Sequence, residues 1–201
     1  MRTTMPPYES MVSIVPEGAS AEARVTHFNV TAEEARWSEM RATVTGRRDL
    51  SVRQGRYAKL EVGGMLMMTD TQMEQASNLD VIIQARGDVL IAGLGLGLIV
   101  LPIARKRDVA RVTVVEHSPG VIDLVEAPLR QHLTSRVSRK LAVVPGDIFK
   151  WRPEQPGRQF DTIYFDIWAD YGTHAKEAVA LRRAFARYLR KDGWIGAWKA
   201  R

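Results

Sequence analysis

VLIAGLGLGLIVLPIA, residues 89–104, is the longest apolar run in the chain, and it carries glycine at alternate positions 93, 95 and 97. It can be read as a membrane span, as a ligand-binding loop between a strand and a helix, or as a buried strand and helix joined by a tight turn. A transmembrane helix needs roughly 20 consecutive apolar residues. This run is shorter, it is closed by Arg105, Lys106, Arg107 and Asp108, and its glycines lack the small-xxx-small spacing of paired membrane helices. The span is therefore set aside, and no membrane partner is expected.

Outward from this run, short β-branched segments alternate with longer helical patterns, the signature of βαβ units in a parallel sheet. Strands are expected at 88–92, 111–116, 141–145, 160–166 and 194–198, with helices at 97–106, 119–132 and 173–190. Lys191, Asp192 and Gly193 are expected to stop the last helix. Residues 147–159, DIFKWRPEQPGRQ, hold two prolines and a glycine and leave room for at most a turn of helix, so one crossover is abbreviated. The fold class is α/β, a doubly wound Rossmann-like parallel sheet over residues 81–201, expected to stop after its fifth strand.

Residues 1–80 read as an α+β extension. A strand near 24–30 leads into a helix reaching about Val44, opened by the capping-box spacing of Thr31 and Glu34. A hairpin follows, with strands at 56–62 and 65–68 turning on Gly63 and Gly64. Thr71 and Glu74 repeat the box spacing, which predicts a helix to about Ala85.

Composition limits the function classes. The chain has 201 residues, 45% hydrophobic and 26% charged, and no cysteine, which excludes disulfides and thiolate metal sites. No apolar signal-peptide stretch opens the chain, so cytoplasmic residence is expected. The net charge of +6 suits an anionic partner such as nucleic acid, but its basic residues are scattered, as on an ordinary solvated surface. His27, His117, His132 and His174 show no metal-ligand spacing, and no metal is expected.

In an open parallel sheet, ligands bind beyond the carboxyl ends of the strands where the strand order reverses. Gly93, Gly95 and Gly97 stand there, and their missing Cβ atoms would let backbone N–H groups approach a ligand. Glu116 ends the second strand about 20 residues on, where a carboxylate can accept from ribose hydroxyls. Asp147 ends the third, able to bond an adenine amino group, with Ile148 and Phe149 offering an apolar surface to the ring. Each acid also reads as a helix cap or a solvated loop charge. The dinucleotide pattern G-x-G-x-x-G has Leu98 at its third position here, which counts against NAD.

The pattern G-x-G-x-G with Glu116 and Asp147 resembles the class I S-adenosylmethionine-dependent methyltransferases, and within them the spermidine synthase-like proteins. VTVVEHSPGVIDLV is similar to their second motif, FDTIYFDIWAD to the strand ending in their catalytic aspartate, and GGMLMMTDTQMEQ more loosely to the segment before their core. The resemblance implies S-adenosylmethionine as cofactor, held by Gly93, Gly95, Gly97, Glu116, His117, Asp147, Ile148 and Asp166. It places Asp166 at the catalytic position, with Asp170 and Tyr171 facing the acceptor and Trp168 available either for stacking or for simple packing. The departures are also specific: Met67 stands where aminopropyltransferases carry glutamine, Gln72 and Met73 fall near their Asp-Glu pair, and Asp170 follows Asp166 one residue late. DIWADY lacks the prolines of base-flipping amino-methyltransferases, which weakens a nucleic-acid acceptor. Methyl transfer to a small-molecule or unidentified acceptor is the leading expectation. Aminopropyl transfer and non-catalytic cofactor binding are the alternatives. The edge of the fifth strand, with Trp194, Ile195 and Trp198, is expected to be covered by the hairpin or by a second copy in a homodimer.

Overall fold

The computed structural model describes residues 8–46, 51–169 and 174–198. Its first half is a four-stranded antiparallel sheet, β1 (Gly18–Ser20), β2 (Ala23–Val30), β3 (Gly55–Val62) and β4 (Met65–Thr69), in that spatial order. The helix α1 (Ala32–Val44) links β2 to β3, and its capping box forms: Thr31 Oγ1 accepts from the Glu34 N–H, and the Glu34 carboxylate accepts from the Thr31 N–H. The β3–β4 hairpin turns on Gly63 and Gly64, both at positive φ (59° and 78°), as a tight two-residue turn requires.

The second capping box does not form. Thr71 Oγ1 pairs with Thr69 Oγ1 at 2.9 Å, and the expected single helix is two short ones, α2 (Gln72–Ser77) and α3 (Leu79–Gln84). They break at Asn78, whose side chain donates to the Glu74 carbonyl and accepts from the Tyr164 hydroxyl.

The second half alternates β5 (Gly87–Ala92), α4 (Val100–Arg105), β6 (Val109–Glu116), α5 (Pro119–His132), α6 (Ser135–Ser138), β7 (Leu141–Pro145), β8 (Phe160–Phe165), α7 (Ala175–Phe185) and β9 (Leu189–Ala197). All five strands are parallel, in the order β7-β6-β5-β8-β9. This is the expected doubly wound sheet, with its topological switch between β5 and β8. The β7–β8 connection is irregular, as its prolines demand. Where a crossover helix would pack, Trp151 stacks on Phe185 with ring planes 4° apart.

The last helix ends sooner than its periodicity suggests. Phe185 closes α7, a 3-10 turn covers Ala186–Tyr188, and β9 begins at Leu189 rather than at Trp194. The new strand brings an ion cluster to the amino end of the sheet: Arg190 reaches Asp161 at 2.9 Å and Asp88 at 3.5 Å. Register slips there, Leu189 opposing Phe160 and Trp194 opposing Thr162. Among the described residues β9 pairs only with β8, and the hairpin expected as one cover for its edge lies in the other sheet.

One apolar core runs through both sheets, from Val25, Ala58 and Leu60 to Leu90, Val114 and Phe165. Asp70, 1% exposed, ties the N-terminal segment to it. Its carboxylate accepts from the Met11 and Ala58 N–H groups, each at 2.7 Å. Burial raises its pKa, and those N–H groups pull the other way. Asparagine there can accept only one of the two bonds and turns an NH₂ toward the other donor. Asp70→Asn is therefore expected to cost about 1–3 kcal/mol in urea unfolding, the penalty of a buried donor left unsatisfied.

Candidate functional site

A cavity of about 410 Å³ opens at the carboxyl ends of the parallel strands. Gly93, Leu94 and Gly95 after β5, Glu116, His117 and Ser118 around the end of β6, Asp147, Ile148 and Phe149 after β7, and Asp166, Ile167 and Trp168 after β8 all line it. The topology thus brings every expected cofactor residue to the cavity lining except Gly97. Asp170 and Tyr171 lie outside the described residues.

The glycine loop differs from its expected role. Each glycine has positive φ, and a Cβ would collide with protein: at Gly93 with the Asp166 carbonyl oxygen (2.1 Å), at Gly95 with Met68 Sδ (2.3 Å), at Gly97 with Leu129 Cδ1 (2.4 Å). Most of the loop's donors are used internally. Gly93 N–H goes to the Val115 carbonyl, Leu94 N–H to Glu116, Leu96 N–H to Met68 Sδ and Gly97 N–H to the Leu94 carbonyl. The helix beyond is also later and shorter than expected, starting at Val100 and running less than two turns. The glycines serve close packing and chain reversal rather than an array of N–H groups at a helix end.

Glu116, 9% exposed, clamps the loop to the next strand. One carboxylate oxygen accepts from the Leu94 N–H at 2.6 Å and the other from the Ser118 N–H at 2.8 Å. A carboxylate has about four acceptor positions, so two remain after both bonds are made. Ser118 caps α5, and its hydroxyl also donates to Glu22 in the β1–β2 turn.

Asp147 lies in a turn in which the Phe149 N–H donates to it at 3.0 Å, and this bond, with Lys150 nearby, holds its pKa below the usual carboxylate range. Ile148 is buried and Phe149 is 46% exposed, so the pair presents one fixed and one open apolar surface beside it.

Asp166 is anchored by its own N–H to the Ala92 carbonyl at 2.8 Å, at the switch point. Its charge, after burial, raises the pKa of both the Tyr8 and Tyr164 hydroxyls, so both remain protonated donors. They donate to the Gln75 carbonyl and to Asn78, respectively. Trp168 is 8% exposed; its indole N–H donates to Glu177 at 2.8 Å and its ring stacks on His174. Packing therefore fixes this ring as a wall of the cavity.

Sequence reasoning missed the opposite wall. Leu60, Val62, Met67 and Met68 of the hairpin, the buried Glu74 of α2, and Trp198 after β9 complete the lining. The signals for it were the unbroken run Met65–Met68 beside a tight turn, which alternation alone assigns to both faces of a strand, and the loose family likeness of GGMLMMTDTQMEQ, which put Met67 at the place of a glutamine.

Fold and site together describe a doubly wound α/β protein with a half-enclosed cavity at its switch point. A comparison with solved structures finds similarity to cofactor-bound Rv0187 from MTB, 25% identical over 59% of this chain and 50% of that one, TM-score 0.45. Coclaurine N-methyltransferase bound to N-methylheliamine and SAH is 22% identical over 61% and 33%, TM-score 0.43. The CcbJ methyltransferase from Streptomyces caelestis is 18% identical over 59% and 48%, TM-score 0.43. The chain spans half or less of the length of each. No protein-family model matches the chain, and no curated protein does. No helix among the described residues is long and apolar enough to cross a membrane.

Gly93 and Gly63 separate the two costs of placing a side chain on this backbone. Both have positive φ, but a Cβ at Gly63 meets nothing within 4 Å. Gly63→Ala should lower stability by about 1 kcal/mol, the left-handed penalty alone. Gly93→Ala should cost roughly 2 kcal/mol more, because the Asp166 carbonyl must move, and thermal unfolding of the pair measures the difference.

Proposed function

We propose that the chain is an S-adenosylmethionine-dependent methyltransferase acting on a small-molecule acceptor. The observation that carries this reading is the order of acids around one cavity: Glu116, Asp147 and Asp166 at the ends of three parallel strands, facing the glycine loop. The donor set fits the cofactor. Glu116 keeps acceptor positions for ribose hydroxyls, Asp147 is held ionised as an acceptor for an amino group, and Ile148 and Phe149 flank it with apolar surface. When bound, the cofactor would supply an electrophilic methyl on a sulfonium. The chain's own residues then orient the acceptor and take up its proton. Asp166 is proposed for that proton, with Trp168 as the fixed wall and Asp170 and Tyr171 beside the acceptor. His117, exposed at the cavity mouth, is proposed to border the ribose.

A second reading, aminopropyl transfer of the spermidine synthase-like kind, is favoured by the charge of the lining. Glu74, Glu116, Asp147 and Asp166 line the cavity, and among the described lining residues there is no lysine or arginine. A donor that has lost its carboxylate suits such a field better than one that keeps it. The same field disfavours nucleic acid as the acceptor. A second copy of the chain is proposed as the cover of β9's outer edge, which light scattering at micromolar concentration would read as a homodimer.

Calorimetry with S-adenosylmethionine, S-adenosylhomocysteine, the decarboxylated cofactor and NAD decides the ligand. Binding of the first two is expected; a preference for the decarboxylated form moves the protein to the second reading, confirmed by product analysis with putrescine. Glu116→Ala should weaken cofactor binding about tenfold or more, and unchanged affinity in a folded variant would refute the assigned pocket. Asp166→Asn should bind cofactor like the parent and lose about 10²–10⁴-fold in turnover across an acceptor panel. Lost binding instead makes Asp166 a cofactor ligand.

A further inference from the structure

The hairpin reaches the glycine loop through one atom. Met68 Sδ accepts the Leu96 N–H at 3.1 Å, and it lies where a Cβ on Gly95 would sit only 2.3 Å away. Leu96 is fully buried, so without this acceptor its N–H would have no access to water. A thioether is a weak acceptor, but the alternative is an orphaned donor.

The strand is shaped to make this contact. In β4, Leu66 opposes Glu61 and Met68 opposes Leu60, so Met67 is an extra residue, a bulge. In a regular strand Met67 and Met68 would point to opposite faces. With the bulge, both line the cavity. The loop is thus gripped from two sides, by Glu116 at Leu94 and by Met68 at Leu96.

We propose that Met68 is a positioning residue for the cofactor loop, and that through it the N-terminal hairpin forms part of the cofactor site. The inference rests on the reading of residues 93–97 as a cofactor loop. Met68 sets the path of the loop by holding the Leu96 N–H and covering the face of Gly95 where a Cβ would stand.

The test uses the full chain and S-adenosylhomocysteine as probe, with Met68→Leu, which keeps the bulk and removes the acceptor. Met65→Leu serves as control, since Met65 is exposed on the same strand and lies outside the cavity lining. Calorimetry should show affinity falling about threefold to tenfold in Met68→Leu and unchanged in the control, as expected for one lost hydrogen bond. The Leu96 amide should shift in the ¹⁵N–¹H spectrum and exchange faster with solvent, a signature that general loosening of the fold would not confine to this amide. A rescue supports the same contact: Gly95→Ala should bind more weakly than Gly95→Ala combined with Met68→Ala, because the second change removes the colliding sulfur. Equal affinity in Met68→Leu and parent overturns the proposal, as does an unmoved Leu96 amide or an equal loss in the Met65 control. A parent that binds no cofactor overturns the reading of the loop itself.

Discussion

The structure turns on a steric constraint at residues 93–97. Three elements fill the space that side chains on this segment would need: the Asp166 backbone after β8, the Met68 side chain from β4, and Leu129 of α5. Only a chain without Cβ atoms at three alternate positions, turning through positive φ at each, fits between them. The loop is therefore a junction before it is a binding surface. Whatever ligand the cavity takes meets a backbone already fixed by protein on both sides.

Glu116 transmits that constraint to the rest of the site. Its carboxylate joins the end of β6 to the glycine loop and to the start of α5, while Ser118 passes the connection on to Glu22 in the β1–β2 turn. The acid expected to serve a ligand is therefore also structural, and the two roles are compatible because a carboxylate accepts more than two hydrogen bonds. The charge distribution has the same double character. A chain of net charge +6 keeps its lysines and arginines out of the described cavity lining and places four acids there. That separation leaves the described lining acidic.

What could be read in the sequence was what local chemistry decides. The five parallel strands announce themselves by β-branched runs, the first helix by its capping box, and the hairpin by paired glycines. Long-range partners set aside the rest. Thr71 and Glu74 have the spacing of a cap, yet the hydroxyl finds Thr69 and the acid is buried at the cavity. Leu189 and Arg190 continue a helical pattern, yet they open β9, where Arg190 pairs with Asp88 and Asp161. The glycine spacing marked a segment at the cavity but not what packs against it, since Met68 and Leu129 are distant in sequence from the loop they crowd.

The same distinction explains how the cavity is divided. The parallel sheet supplies the acids and the loop, in the order that any doubly wound protein of this topology imposes on the ends of its strands. The opposite wall comes from elements the topology does not dictate: the bulged strand β4, the short helix α2, and Trp198 beyond β9. These are apolar except for Glu74, and their soft methionine side chains can adapt to differently shaped neighbours. The strand-end half of the cavity is thus fixed by the fold, whereas in the hairpin half one bulge sets which side chains face inward. A change of register there would turn a different pair of residues to the cavity and would also take Met68 away from the Leu96 N–H, so the two halves are not independent.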